Sequence, residues 1–283
     1  MAKVDQTDVL YEVKDGVALL TLNRPRYRNA QSWRLLDQLD AAFDRSMADK
    51  EVRVAVVRGA GEHFSSGHDL GTPEQVAEQK ARAMPDRGLR NYENFRKVNL
   101  DYTLKWRSLP KPTIAMVHGY CIFGGWMIAA AMDLVFAAPD ARFLAGMVEY
   151  FSLPWDLHPR KAKELVFESR FIDAEEARAL GFVNRVYPAE ELERETLAYA
   201  RRVGENGRAL LRMAKLSINR SQDLQGFRSA MEAAFADFLV LFHTGGEGRS
   251  QGGERRMNAV ELALRGQRGE RYGLVPGGAG GAG

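Results

Sequence analysis

The stretch from Pro112 to Ala138, PTIAMVHGYCIFGGWMIAAAMDLVFAA, constrains the fold more than any other part of the chain. Thr113 to Val117 is an apolar, β-branched run and predicts a buried strand. His118 and Gly119 make a turn, Gly124-Gly125 opens an apolar helical run from Trp126 to Met132, and Leu134 to Ala138 predicts a second strand. The first turn of a helix carries N–H groups with no partner inside the helix, at the positive end of its dipole. Paired glycines there let a ligand or another backbone come close. The junction is therefore either a seat for an oxygen that develops negative charge or a point of tight helix packing.

Upstream, Val9 to Val13 and Val17 to Leu22 alternate as strands, with Asp15-Gly16 as a hairpin turn. Ser32 stands where an N-cap belongs, before Leu35, Leu36, Leu39, Phe43 and Met47 at helical spacing. Val52 to Val57 is a short strand, apolar on both faces, that runs into the Gly- and Ser-rich turn Phe64-Ser65-Ser66-Gly67-His68-Asp69-Leu70. Such a turn after a buried strand often exposes backbone N–H groups. Pro73 to Leu109, charged and aromatic, reads as a mobile cover over a site.

Downstream, Arg142 to Leu144 predicts another strand, and Met147 to Asp156 is irregular. A helix starts near His158-Pro159, and Asp173 with Glu176 caps a short helix that stops at Gly181. Phe182 to Val186 is the last strand. Helices follow over 189–203, 207–219, 226–242 and 254–265. Strands and helices interleave early and helices gather late, which points to an α/β core over residues 1–203, a helical part over 204–272, and a disordered Gly/Ala tail over 273–283.

Composition removes several function classes. A net charge of +3 without a lysine/arginine block argues against a nucleic-acid partner. No apolar run reaches the ~18 residues of a membrane span, and no apolar leader follows Met1. The single cysteine, Cys121, allows no intrachain disulfide and fits a cytoplasmic protein.

Several marks in order resemble the crotonase family, the enoyl-CoA hydratase/isomerase superfamily. They are Asn23-Arg24-Pro25 with Asn29-Ala30, Phe64 to Leu70, Lys111 to Ala115, His118-Gly119-Tyr120 with Gly124-Gly125, and Ala174 to Val186. The resemblance implies a spiral of ββα turns with C-terminal helices that build a homotrimer or a dimer of trimers. It implies an acyl-CoA substrate, with coenzyme A as part of that substrate and no other cofactor or metal. It carries the two N–H donors of an oxyanion hole onto Ser66 and Gly124. It places the CoA phosphates and adenine near Arg24, Arg26 and Arg28 and near His68, Asp69 and Leu70, with Arg265 and Arg268 reaching a neighbour's CoA site.

The chain departs from the family at two positions. The two glutamates that hold water in the hydratases fall on Met127 and Met147, and methionine cannot move a proton. Two carboxylates remain as acid/base candidates. Asp156 lies beside Trp155, and its other reading is an N-cap for the helix near His158. Glu149 lies two positions beyond Met147, and its other reading is a salt-bridged glutamate. His118 reads as a structural hydrogen-bonder, and Tyr120 as a substrate donor or core residue. Trp126, Met127 and Met147 make a wide apolar acyl pocket. The leading function is an enzyme that stabilises a thioester enolate without being a standard crotonyl-CoA hydratase. The alternatives are a CoA-independent hydrolase of a carbon–carbon bond in cyclic β-diketones, using Asp156, and a non-catalytic acyl-CoA-binding subunit.

Overall fold

The computed structural model describes residues 7–82 and 92–244. Strands β1 (Val9–Lys14) and β2 (Val17–Leu22) form an antiparallel hairpin. Asp15 and Gly16 both take positive φ, the conformation a two-residue hairpin turn needs. A short 3-10 turn, Pro25–Tyr27, leads to helix α1 (Trp33–Ala48). Its N-cap is Ser32, whose hydroxyl accepts from the Leu35 N–H.

Strand β3 (Val54–Gly59) lies parallel to β2, and α2 (Pro73–Ala81) follows. A π-helical turn, Arg96–Asp101, runs directly into α3 (Tyr102–Arg107). Then come β4 (Thr113–Val117), β5 (Tyr120–Ile122), α4 (Gly124–Ala131), β6 (Leu134–Ala137) and β7 (Arg142–Leu144). The one-turn helix α5 (Leu153–Asp156) precedes α6 (Pro159–Glu168), β8 (Ile172–Asp173), α7 (Ala174–Ala179) and β9 (Arg185–Val186). Three helices end the described chain: α8 (Leu192–Gly204), α9 (Arg208–Leu224) and α10 (Phe227–Thr244).

The strands build two sheets, in the orders β1-β2-β3-β4-β6-β9 and β5-β7-β8. Two successive passes of the chain leave a strand in both, β4 then β5 and β6 then β7, while the pass after β3 reaches the smaller sheet only through the Ser65–Cys121 bridge. The inner strands β2, β3, β4 and β6 are buried on both faces, as expected of strands covered by helices, while the edge strands β1 and β9 are largely exposed. Leu20, Val57, Ala115 and Val135 lie on the side that α1 and α4 cover, while Leu19, Val56, Ile114 and Phe136 face α8. A third cluster joins Leu100, Leu104, Met127, Val148 and Tyr150 to Phe227, Met231 and Phe235 of α10.

Three expectations need correction. The Pro73–Leu109 cover is in part core: Val98, Leu100, Leu104 and Trp106 are buried, Trp106 beside Phe43 of α1. Phe182 to Val186 pairs only through Arg185–Val186, because Phe182 and Val183 turn into the core and the Asn184 amide ties the chain to Val135. The helix beginning near His158 is capped by His158 itself, whose Nδ1 accepts from the Arg160 N–H, so Asp156 is not that cap. Arg265, Arg268, the helix over 254–265 and the C-terminal tail lie outside the described residues.

Candidate active site

The turn after β3 is clamped from two sides. Ser65 donates its N–H to Tyr120 O at 2.8 Å and accepts from the Ile122 N–H at 3.0 Å, joining the turn to β5. On its other flank Gln31 donates to Gly67 O at 2.8 Å, and the Asp69 N–H donates to Gln31 O at 3.1 Å. The Gly67 N–H donates to Ser65 Oγ at 3.2 Å.

The Ser66 N–H is taken as well, donating to the Arg28 carbonyl at 2.9 Å. Ser66 therefore does not supply the free donor expected of it. From Ser65 to Asp69, only the N–H of His68 meets no acceptor among the described residues. The N–H of Gly124, first in α4, is likewise without one.

The two segments touch. Gly67 has φ +91°, and a Cβ on it would come within 2.8 Å of Ile122 O and 3.3 Å of Gly124 N. Phe123, directly before α4, has φ 45° and ψ −103°, a costly conformation for a bulky residue that sets how the helix is entered. A Cβ on Gly124 would lie 2.5 Å from Gln31 Oε1 and 2.8 Å from His68 Cε1. The His68 ring thus rests on the first residue of α4.

Two polar groupings surround this junction. In the first, His68 Nε2 meets Glu149 Oε2 at 3.0 Å, and Asn99 Nδ2 donates to Glu149 Oε1 at 3.2 Å. Glu149 is 1% exposed, and a carboxylate so buried needs partners of this kind. Burial by itself lowers the His68 pKa. The charge and hydrogen bond of Glu149 outweigh it and hold the imidazole above its ordinary value. Asn99 has no motif around it, and its one sequence signal is an amide set between Val98 and Leu100.

In the second grouping, burial pushes the Asp156 carboxyl up to about 7, against the pull of a 2.6 Å bond from Ser152 Oγ and of the nearby Trp126 indole. The Trp126 Nε1–H makes no full hydrogen bond, and neither does the buried Tyr150 hydroxyl. Desolvation, then the Asp156 charge, keeps the Tyr150 phenol protonated. Asp156 nonetheless retains partial solvent contact.

The remaining expected residues separate by environment. Arg24 is a correction: its Nη1 is 2.7 Å from Asp69 Oδ2 and 2.6 Å from Ala30 O, its Nη2 meets Thr72 Oγ1, and its charge is spent inside the fold. The Asp69 carboxylate also accepts from Gly71 and Thr72. Burial raises its pKa, but these bonds hold it below the ordinary range. Arg26 and Arg28 are exposed, and Arg26 lines an open groove with Pro25, Tyr27, Arg34 and Glu74. Leu70 is 72% exposed beside the turn. Tyr120 stacks on His63 and packs against Phe171, so its ring contacts are not with the His68–Glu149 pair. Trp126 stacks on Phe182 at 4.0 Å as part of the core, Met127 is buried in the third cluster, and Met147 is half-buried. His118 Nε2 bonds Gly61 O, a structural role. Among the described residues no cluster of three or more His, Cys, Asp or Glu could hold a metal, and no helix is long and apolar enough to cross a membrane.

Within this α/β fold two main-chain N–H groups without an acceptor among the described residues, those of His68 and of Gly124 at the start of α4, lie on segments that meet at Gly67. The model of the enoyl-CoA hydratase/isomerase family matches residues 12–251, and the chain belongs to that family, the crotonase superfamily. It is 37% identical over 277 residues to a Mycobacterium tuberculosis protein named "Putative enoyl-CoA hydratase EchA13", covering 90% of this chain and 86% of that one. Among solved structures it resembles a "probable enoyl-CoA hydratase" of Mycobacterium smegmatis, with TM-score 0.71 and 40% identity over 82% of this chain and 93% of that one. An enoyl-CoA hydratase/isomerase of Xanthobacter autotrophicus Py2 gives TM-score 0.73 and 33% identity over 92% and 88% of the two chains.

Proposed function

We propose that the protein binds an acyl-CoA thioester and stabilises its enolate between the main-chain N–H groups of His68 and Gly124. The observation that carries this reading is that these two donors, on segments in contact through Gly67, have no acceptor among the described residues. Buried polar groups are almost always paired, so two open donors at one junction fit a ligand oxygen. The dipole of α4 adds to the field there, and each such donor is worth ~2.7–4 kcal/mol in the transition state.

Asp156 is the proton-transfer group on this reading. A carboxyl poised near neutrality both takes and gives a proton at working pH. Glu149, with both oxygens engaged, acts as an anchor instead. Met127 and Met147 leave no second acid/base group in the hydratase positions, so the reaction is a proton shift or bond cleavage on the enolate and not standard hydration. Exposed Arg26 and Arg28 suit the CoA phosphates. Helix α9 has no buried residue and exposes Leu210, Met213, Ile218 and Leu224, a face suited to a homotrimer or a dimer of trimers.

The test is deuterium exchange. Acyl-CoA esters incubated with the protein in D2O should gain deuterium at the carbon next to the thioester, read by mass spectrometry. The reading fails if calorimetry shows no binding of CoA or of any acyl-CoA. The unpartnered Trp126 and Tyr150 donors beside Asp156 favour one second reading, hydrolysis of a cyclic β-diketone without CoA, and that negative titration would support it.

A further inference from the structure

Asn99 stands between Val98 and Leu100 on the π-helical turn Arg96–Asp101, and the three consecutive residues are 4%, 1% and 0% exposed respectively. A single helical face does not ordinarily hide three residues in a row. The wider turn is closed by the Tyr102 N–H donating to Lys97 O, and it swings the asparagine inward. Thr103 Oγ1 donates to the Asn99 carbonyl and satisfies an acceptor inside that turn. The Asn99 amide then holds one oxygen of Glu149 at 3.2 Å while the other oxygen meets His68 Nε2 at 3.0 Å. The His68 ring lies over Gly124, where a Cβ would come within 3.0 Å of its Nδ1.

We propose that Asn99 is a positioning residue that, through Glu149, fixes the His68 ring against Gly124 and so orients the His68 main-chain N–H. The proposal rests on the oxyanion reading above. Glu149 is enclosed and has two oxygens to satisfy. Without the amide, its carboxylate must turn toward another donor, and that change loosens its hold on the imidazole. The ring and the peptide N–H share one Cα, so a ring free to rotate leaves the donor less well aimed. The π turn is the local device that makes this possible, since it puts an amide where a regular helix would put its next apolar residue.

The experiment uses the full chain with Asn99→Leu, which keeps the volume and removes the donor, and Asn99→Ala, so that either variant that folds decides. Asn99→Gln tests rescue by retaining an amide. In 15N-histidine-labelled protein without ligand, the His68 Nε2–H signal is assigned by its loss in His68→Gln. It should be downfield and protected from water exchange in the wild type and in Asn99→Gln, and exchange-broadened or lost in Asn99→Leu or Asn99→Ala. Acyl-CoA exchange should show kcat lowered at least tenfold with KM within twofold. An unchanged His68 signal in a folded Asn99→Leu or Asn99→Ala protein overturns the proposal, as does an equal loss in kcat in Asn99→Gln with no recovery of the signal. If the wild type exchanges no acyl-CoA proton, the oxyanion reading fails, while the ligand-free signal still decides whether Asn99 holds the ring.

Discussion

Asp156→Asn isolates the carboxyl that burial raises from 3.8 to about 7. Asparagine keeps the shape and cannot ionise. Between those two values the unfolded chain releases a proton that the folded chain keeps, so the aspartate's contribution to stability falls as pH rises. The folded pKa is the higher one. The contribution is therefore full below pH 3.8 and gone once pH passes about 7. At ~1.4 kcal/mol per unit, a gap of about three units is worth about 4 kcal/mol. This is an upper figure, because Asp156 keeps some solvent contact that screens its charge. Denaturant unfolding at pH 4 and pH 8, at one protomer concentration, gives the comparison. The variant should match the wild type near pH 4 and exceed it by up to that amount at pH 8. A difference that stays constant with pH would refute the buried carboxyl. The same variant should lose the limb near pH 7 in the kcat/KM profile for proton exchange and fall by about 10²–10⁴ in rate. Survival of that limb would take Asp156 out of the chemistry.

Gly124→Ala puts a methyl within 2.5 Å of Gln31 Oε1 and 2.8 Å of the His68 ring. It should lower kcat for proton exchange about 10²-fold, with ~1–3 kcal/mol lost in unfolding free energy. Asp69→Ala leaves the 5%-exposed Arg24 without its main partner and should cost about 3–5 kcal/mol by denaturant unfolding. Because hydrogen bonds hold the Asp69 pKa below its ordinary value, that stability is present above pH 3.8 and is lost only as pH falls through the lowered folded pKa. Met127→Glu combined with Met147→Glu should create crotonyl-CoA hydration, followed by loss of the conjugated absorbance, and no gain in a folded double variant would contradict the placement of those two positions.

The inner strands of the large sheet were legible because burial on both faces demands continuous apolar runs, and Leu19–Leu20, Val56–Val57 and Ile114–Ala115 supply them. The caps at Ser32 and Asp173 were legible because a capping side chain acts within one turn of sequence. Gly124 was legible for the same local reason. Ser66 and His68 were not separable in this way. Both sit in one Gly- and Ser-rich turn, and which N–H stays open depends on Arg28 and Gln31, more than thirty residues away in sequence and brought alongside only by the fold. Arg24 misled by its type: an arginine in a loop reads as a phosphate ligand until Asp69 and Asp8 are seen to enclose it. Asn99 was out of reach because its inward direction comes from a π turn, and periodicity arguments assume a regular helix on both sides. The common cause is distance. Residues whose role is set within a turn or a strand could be read from the chain. The donors and anchors of the site are set by partners from segments far apart, so the chemistry of this family member rests on the contacts that its apolar runs bring about and do not themselves encode.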